Sequence, residues 1–206
     1  MIAIIDYGVG NVGSILNMMN YIGIPAVITS NYSEINSASK LILPGVGSFD
    51  QAITLFNESG LRELIDKRVN QQEIPILGIC LGMQMMTKGS EEGVLPGLGW
   101  FEAKCIKFKF DIDLHGSQKI PHMGWNDINP VNSGTEFFKT IDNELKYYFA
   151  HSYHIIGAEK YTIATASYGY NFTVAIKNEN KFGVQFHPER SHMFGVNLFK
   201  SFSEIS

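Results

Sequence analysis

The strongest constraint on this chain is an alternation that runs through its first ninety residues. Short apolar runs are separated by segments of helical period. Residues 2–5 read as a buried strand. Val12, Ile15, Leu16 and Met19 then fall at i, i+3, i+4 and i+7, the spacing of one helix face. Residues 26–29 and 40–43 read as further strands. Phe49, Ala52, Ile53 and Phe56 restore the helical period, and Leu61, Leu64 and Ile65 are expected to continue that helix. Residues 75–79 form another buried strand. Strands apolar on both faces and separated by helices imply a parallel sheet with right-handed crossovers.

The second half changes period. In residues 104–110, Ile106, Phe108 and Phe110 alternate with Lys107 and Lys109, the pattern of a half-exposed strand. Strands are also expected at 147–153, 161–168, 172–177 and 182–186, with a hairpin turn at 178–180 and a last helix from 191 to about 202. The fold class is therefore α/β: a mostly parallel central sheet flanked by helices, with additional antiparallel strands. The length of 206 residues fits one domain, 1–206, with a core large enough to need no staples.

Composition narrows the function classes. Charged residues make up 17% of the chain, against about 25% in an average soluble domain. The net charge of −4 has the wrong sign for a nucleic-acid footprint. Two cysteines, Cys80 and Cys105, do not make a disulfide framework and fit a reducing compartment. The start, MIAIIDYGVGN, lacks the basic region of a signal peptide. Residues 7–33 carry no charge, but four asparagines, four glycines and Pro25 exclude a membrane span. A soluble, cytoplasmic protein is expected.

Gly8, Gly10 and Gly13 match the formal dinucleotide-binding pattern after a strand. The acidic residue that should close the second strand is missing, since Ser30 and Asn31 stand there. Asp6 would also confront the phosphates. A tight strand-to-helix turn is the better reading, and no cofactor is called for.

Gly78-Ile79-Cys80-Leu81-Gly82 closes the strand at 75–79 and opens a helix. This is the cysteine form of a nucleophile elbow. Its glycines let the strand turn sharply and push the side chain between them out of the sheet. A helix N-terminus favours a thiolate, and the Leu81 amide becomes an oxyanion donor. Cys105 lacks this frame and reads as structural. A second donor belongs on a neighbouring loop, and Pro44-Gly45-Val46-Gly47 is glycine-rich and precedes a helix.

A thiol nucleophile needs a base, and the base an orienting carboxylate. His187-Pro188-Glu189 offers both. In an extended segment the two side chains would point the same way. His151 and His154 flank Ser152-Tyr153 as a loop pair, while His115, His122 and His192 have no catalytic frame. A zinc reading of His187-x-Glu189 would need P-C-x-x-C downstream, and no cysteine follows Cys105. No metal is expected.

Together the G-x-C-x-G elbow, the P-G-x-G loop and the terminal H-P-E resemble the class I (triad-type) glutamine amidotransferases. A fuller set resembles the glutaminase branch serving imidazole glycerol phosphate synthases. It comprises Asp6-Tyr7-Gly8-x-Gly10-Asn11, Cys80-Leu81-Gly82-Met83-Gln84, Gly97-Leu98-Gly99, Pro121-His122-Met123-Gly124-Trp125-Asn126, His151-Ser152-Tyr153 and Gln185-Phe186-His187-Pro188-Glu189.

The resemblance implies a flavodoxin-like architecture and a Cys80–His187–Glu189 triad that hydrolyses glutamine through a thioester. It implies an oxyanion amide at Val46 or Gly47 beside Leu81, and substrate contacts from Gln84, Ser152 and Tyr153. It also implies that the heterodimer partner is a (βα)₈-barrel cyclase, with His122, Met123, Trp125 and Asn126 near the junction. That partner would use the ammonia to form imidazole glycerol phosphate in histidine biosynthesis. The oxyanion loop would rearrange when the partner binds its own substrate. The alternative is a paralogous glutaminase that feeds sugar amidation in surface-polysaccharide biosynthesis.

Overall fold

The computed structural model describes residues 1–111, 118–131, 134–139 and 144–205, leaving aside the side chains of residues 135 and 136. His115 lies outside the described residues. The elements run β1 (Ile2–Ile5), α1 (Val12–Tyr21), β2 (Ala26–Thr29), α2 (Tyr32–Ser37), β3 (Lys40–Gly45), α3 (Phe49–Glu58), α4 (Arg62–Asn70), β4 (Ile76–Cys80) and α5 (Leu81–Met85). There follow β5 (Lys104–Lys107), β6 (His122–Asp127), β7 (Asn129–Pro130), α6 (Gly134–Phe137), β8 (Lys146–His151), β9 (Tyr153–Ile156), β10 (Thr162–Tyr168), β11 (Tyr170–Asn178), β12 (Lys181–Val184) and α7 (His192–Glu204).

Among the described residues the main sheet runs β2-β1-β3-β4-β12-β11-β10-β7, with β9 and β5 branching from β11. The block β2-β1-β3-β4-β12 is parallel throughout. From β12 onward every pairing in this sheet is antiparallel. β6 and β8 form a separate antiparallel pair.

Alternation within each strand sorts side chains to two cores. Ala3, Ile5, Leu41, Leu43 and Ile76 pack with α2, α3, α4 and α5 on one face. Ile2, Ile4, Ile42, Leu77 and Ile79 pack with α1 and α7 on the other, joined by Tyr147 and Phe149 of β8. Burial on both faces explains why these strands read as unbroken apolar runs. Among the described residues no helix is long and apolar enough to cross a membrane.

Three expectations are corrected. The helix expected from Phe49 through Ile65 is two helices. Gly60, at φ +72°, takes the left-handed conformation that ends α3, and Ser59 Oγ bonds the Phe56 carbonyl at 2.7 Å. The strand expected at 147–153 divides at Ser152, because β8 pairs with β6 while β9 pairs with β5 and β11. The strand expected at 104–110 stops at Lys107. Cys105 and Phe108 are the buried residues there, three apart, so the alternation read from Ile106 does not carry the inward face.

The glycines of the first turn have separate reasons. Gly10, at φ +114°, passes so close to Pro44 that a Cβ would lie 2.9 Å from the ring. A Cβ on Gly13 would meet nothing within 4 Å. This is a tight turn pressed against the β3 loop, and Tyr7 bonds across to the Pro44 carbonyl at 2.7 Å.

Candidate active site

The C-terminal ends of β3, β4 and β12 converge, and ligands in open α/β sheets bind beyond such ends. Cys80 is the last residue of β4 and stands at φ +54°, ψ −110°, a conformation that costs a non-glycine residue strain. Gly45, Gly78 and Gly82 lock it in place. A Cβ on Gly82 would lie 2.0 Å from the Leu43 carbonyl oxygen, and one on Gly45 would lie 2.5 Å from the Gly82 nitrogen. One on Gly78 would lie 2.8 Å from the Met83 nitrogen. The elbow exists because no methyl group fits between β3, β4 and α5.

His187 follows β12, which pairs in parallel with β4. Its backbone N–H is anchored on the Tyr148 carbonyl at 2.8 Å. Its Nδ1 lies 2.9 Å from Glu189 Oε1. That leaves Nε2 for the Cys80 side chain, which lines the same cavity. Burial pulls the His187 pKa down, but hydrogen bonds and charge from Cys80 and Glu189 outweigh it and push the ring up to about 10. The ring therefore carries a proton at neutral pH.

His187 is extended as expected, at φ −104° and ψ 94°, but the segment does not stay extended through Glu189. Pro188–Arg190 forms a 3₁₀ turn, held by Arg190 N–H to the His187 carbonyl at 3.0 Å and Ser191 N–H to the Pro188 carbonyl at 2.9 Å. The turn brings Glu189 back against His187, so the pair forms by a different backbone route. Asn11 Nδ2 approaches the same carboxylate oxygen at 3.5 Å, while Glu189 Oε2 is buried without a partner.

A cavity of about 330 Å³ opens over Cys80 and His187. Val46, Gly47, Leu81, Gln84, Ser152 and Tyr153 all line it. Gly47, at φ +98°, has only Gln51 Oε1 within 4 Å of a built Cβ, so the loop tip has open space around it. Gln84 is buried, and its Nε2 donates to the Tyr153 carbonyl at 3.1 Å and to Gln185 Oε1 at 2.9 Å. Gln185 Nε2 in turn points at Cys80 Sγ, 3.7 Å away. A larger cleft of about 590 Å³ near Glu73, Lys177 and Glu179 has no cysteine or histidine among its lining residues.

The four residues expected at a junction divide. Met123 (64% exposed) and Trp125 (48%) project outward, and Met123 also lines the cavity rim. His122 is buried, and Asn126 bonds toward it and to the Ser167 carbonyl. Strand alternation sends them to the inner side of β6 and leaves Met123 and Trp125 on its outer side.

Sequence reading gave no site role to Glu92, Arg190, Gln185 or His151. Glu92 and Arg190 line the cavity as an acid and a base. Burial, opposed by a bond from the Phe49 N–H, raises the Glu92 pKa. Gln185 carried a usable signal: a polar side chain inside the apolar run 182–186 must find a buried partner.

The class-I glutamine amidotransferase family matches residues 3–203. The chain is 50% identical over 203 residues to imidazole glycerol phosphate synthase subunit HisH 2 of Methanococcus maripaludis, with 98% of each chain covered. It is 46% identical over 206 residues to the HisH subunit of Bdellovibrio bacteriovorus, covering all of both. Among solved structures, a glutamine amidotransferase superposes with a TM-score of 0.71 at 18% identity, covering 98% of this chain and 97% of that one. A glutamine amidotransferase from Thermotoga maritima gives 0.62 at 18% identity, covering 98% and 82%. These two likenesses speak for the fold, and the full-length relatives for the branch. The chain belongs to the class I glutamine amidotransferase family, among the imidazole glycerol phosphate synthase HisH subunits.

Proposed function

We propose that this chain hydrolyses glutamine and passes the ammonia to a synthase subunit that makes imidazole glycerol phosphate in histidine biosynthesis. The observation that carries the reading is a single imidazole, His187, bonded to Glu189 and set with Cys80 at the floor of an amino-acid-sized cavity. The sugar-amidation alternative has no support among the full-length relatives described above, which are named as HisH subunits.

The steps follow from the geometry. Glu92 and Arg190 offer opposite charges to the amino and carboxylate groups of an amino acid, with Ser152, Tyr153 and Gln84 beside them. Cys80 Sγ attacks the side-chain amide carbon. The oxyanion is held by the N–H of Leu81 and a loop amide at Val46 or Gly47. His187 Nε2–H gives its proton to the leaving nitrogen, and ammonia departs as the thioester forms. Water then attacks the thioester carbon, His187 takes its proton, and glutamate leaves as the Cys80 sulfur is released. Glu189 holds the ring in orientation throughout.

Free ammonia is mostly protonated in neutral water and then no longer nucleophilic, so its transfer needs a dry route. The partner is a (βα)₈-barrel cyclase joined in a heterodimer, seated on Met123 and Trp125 at the cavity rim. It closes the imidazole ring and releases aminoimidazole carboxamide ribotide as by-product. The test is glutamate release from glutamine with the partner and its ribotide substrate present. Stimulated release that disappears in Cys80→Ala is expected. Release that survives Cys80→Ala would overturn the reading.

A further inference from the structure

Two buried histidines that the proposed chemistry does not use belong to the β6–β8 pair, paired across it as His122 and His151, and His151 also lines the cavity. His151 Nδ1 lies 2.8 Å from the Tyr153 carbonyl oxygen. A carbonyl can only accept, so Nδ1 carries the proton. His151 Nε2 faces His122 Nδ1 at 3.0 Å. At the far end, Asn126 Oδ1 accepts the Asp127 N–H at 2.9 Å, which turns the amide Nδ2 toward His122 Nε2 at 3.2 Å. His122 Nε2 is then an acceptor, and its own proton sits on Nδ1, aimed at His151. Every donor in the chain Asn126–His122–His151–Tyr153 points the same way, and both rings are neutral in the same tautomer.

The chain does not stop at Tyr153. That carbonyl also accepts Gln84 Nε2, whose second N–H holds Gln185 Oε1, and Gln185 Nε2 addresses the Cys80 sulfur. The orientation of each amide is set by the group before it. We infer that His122 and His151 are positioning residues of the glutaminase site: as a neutral pair they fix the Tyr153 carbonyl, and through Gln84 and Gln185 the N–H directed at Cys80.

The surroundings support a neutral pair. His122 stacks on Phe149 at 4.7 Å and on Tyr168 at 4.1 Å, and His151 meets Phe108 at 5.3 Å and Phe172 at 5.6 Å. The imidazoles of His154 and His187 are near His151, and neither favours a charge on it. Burial pulls His151 down to about 3 and His122 down to about 4.

This inference rests on the glutaminase reading, and the experiment separates the two. Glutamine hydrolysis is measured in the complex with the synthase partner and its substrate, for wild type, Cys80→Ala, His151→Leu and His151→Asn. The asparagine amide can place an N–H where Nδ1 stands. His151→Leu is expected to lower kcat/KM about tenfold, the scale of one lost hydrogen bond, and to slow iodoacetamide alkylation of Cys80 in parallel. His151→Asn should recover to within about threefold of wild type. Equal activity in wild type and both variants, or an asparagine variant no better than leucine, would overturn the positioning role while a dead Cys80→Ala left the glutaminase reading intact. No stimulated activity in wild type would instead sink the glutaminase reading. Should His151→Leu fail to fold, long-range proton–nitrogen spectra of histidine-labelled wild type decide. Two neutral Nδ1–H rings at neutral pH support the inference, and an Nε2–H or charged His151 overturns it.

Discussion

The elbow around Cys80 and the β6–β8 pair are opposite walls of one cavity, built by opposite means. At the elbow, Gly45, Gly78 and Gly82 stand where an added methyl would meet backbone atoms at 2.0–2.8 Å, apart from the Met86 Cε that Gly78 also faces. Strain is concentrated there, at the positive φ of Cys80. The β6–β8 pair instead sorts its residues by alternation. Buried His122 and His151 face in, while Met123 and Trp125 face out. One wall is defined by the absence of side chains and the other by their direction. Substitutions should therefore act on the fold at the first wall and on partners or polar geometry at the second.

The largest effect should come from Gly82→Ala. Its Cβ would sit 2.0 Å from the Leu43 carbonyl oxygen, and backbone cannot swing aside as a side chain does. A loss of about 3 kcal/mol or more in urea unfolding is expected. A loss under about 0.5 kcal/mol would show that the elbow can relax and that the contrast is false. Next comes Cys80→Gly, which removes the nucleophile and relieves the φ +54° strain together. Glutaminase activity should vanish as it does in Cys80→Ala, and the glycine variant should be about 1 kcal/mol more stable than Cys80→Ala, which lacks the thiol but keeps the strain. A glycine variant no more stable than Cys80→Ala would argue against stored strain.

Third is the His187 titration. Its folded pKa is raised above the ordinary 6.5, so its contribution to stability is complete below 6.5 and is lost as pH climbs through about 10. In nuclear magnetic resonance spectra the ring should stay protonated through neutrality, and Cys80→Ala should bring its midpoint down. A midpoint near 6.5 with Cys80 intact would break the pairing. The smallest effect on the isolated chain belongs to Trp125→Ala. An exposed ring stacked on His192 at 5.4 Å should change stability by less than about 0.5 kcal/mol. Calorimetric titration with the synthase partner should nonetheless show binding weakened by about tenfold or more. Unaltered binding would remove Trp125 from the interface.

Much of the parallel half was legible in the residues. Strands β1 and β2 fall where their apolar runs stand, and the glycines flanking Cys80 announced the sharp turn before it. Local sterics and local period decide such features, and both are written in consecutive residues. The antiparallel half was less legible. The break at Ser152 depends on which distant strand each side pairs with, and 147–153 shows no interruption of its own.

For the site the division is similar. Residue types and spacing named Cys80, His187, Glu189 and the Pro-Gly-Val-Gly loop. The 3₁₀ turn that joins His187 to Glu189, the Glu92–Arg190 charges at the cavity and the chain from Asn126 to Cys80 were not visible there. Those groups come from elements far apart in the chain. A side chain's direction fixes what it can touch only once the strands are registered. By itself the sequence determined a nucleophile on a glycine-locked turn, because that turn is short-range sterics. Only the tertiary structure decided which buried polar groups surround it, because each must find its hydrogen-bond partner across the whole fold.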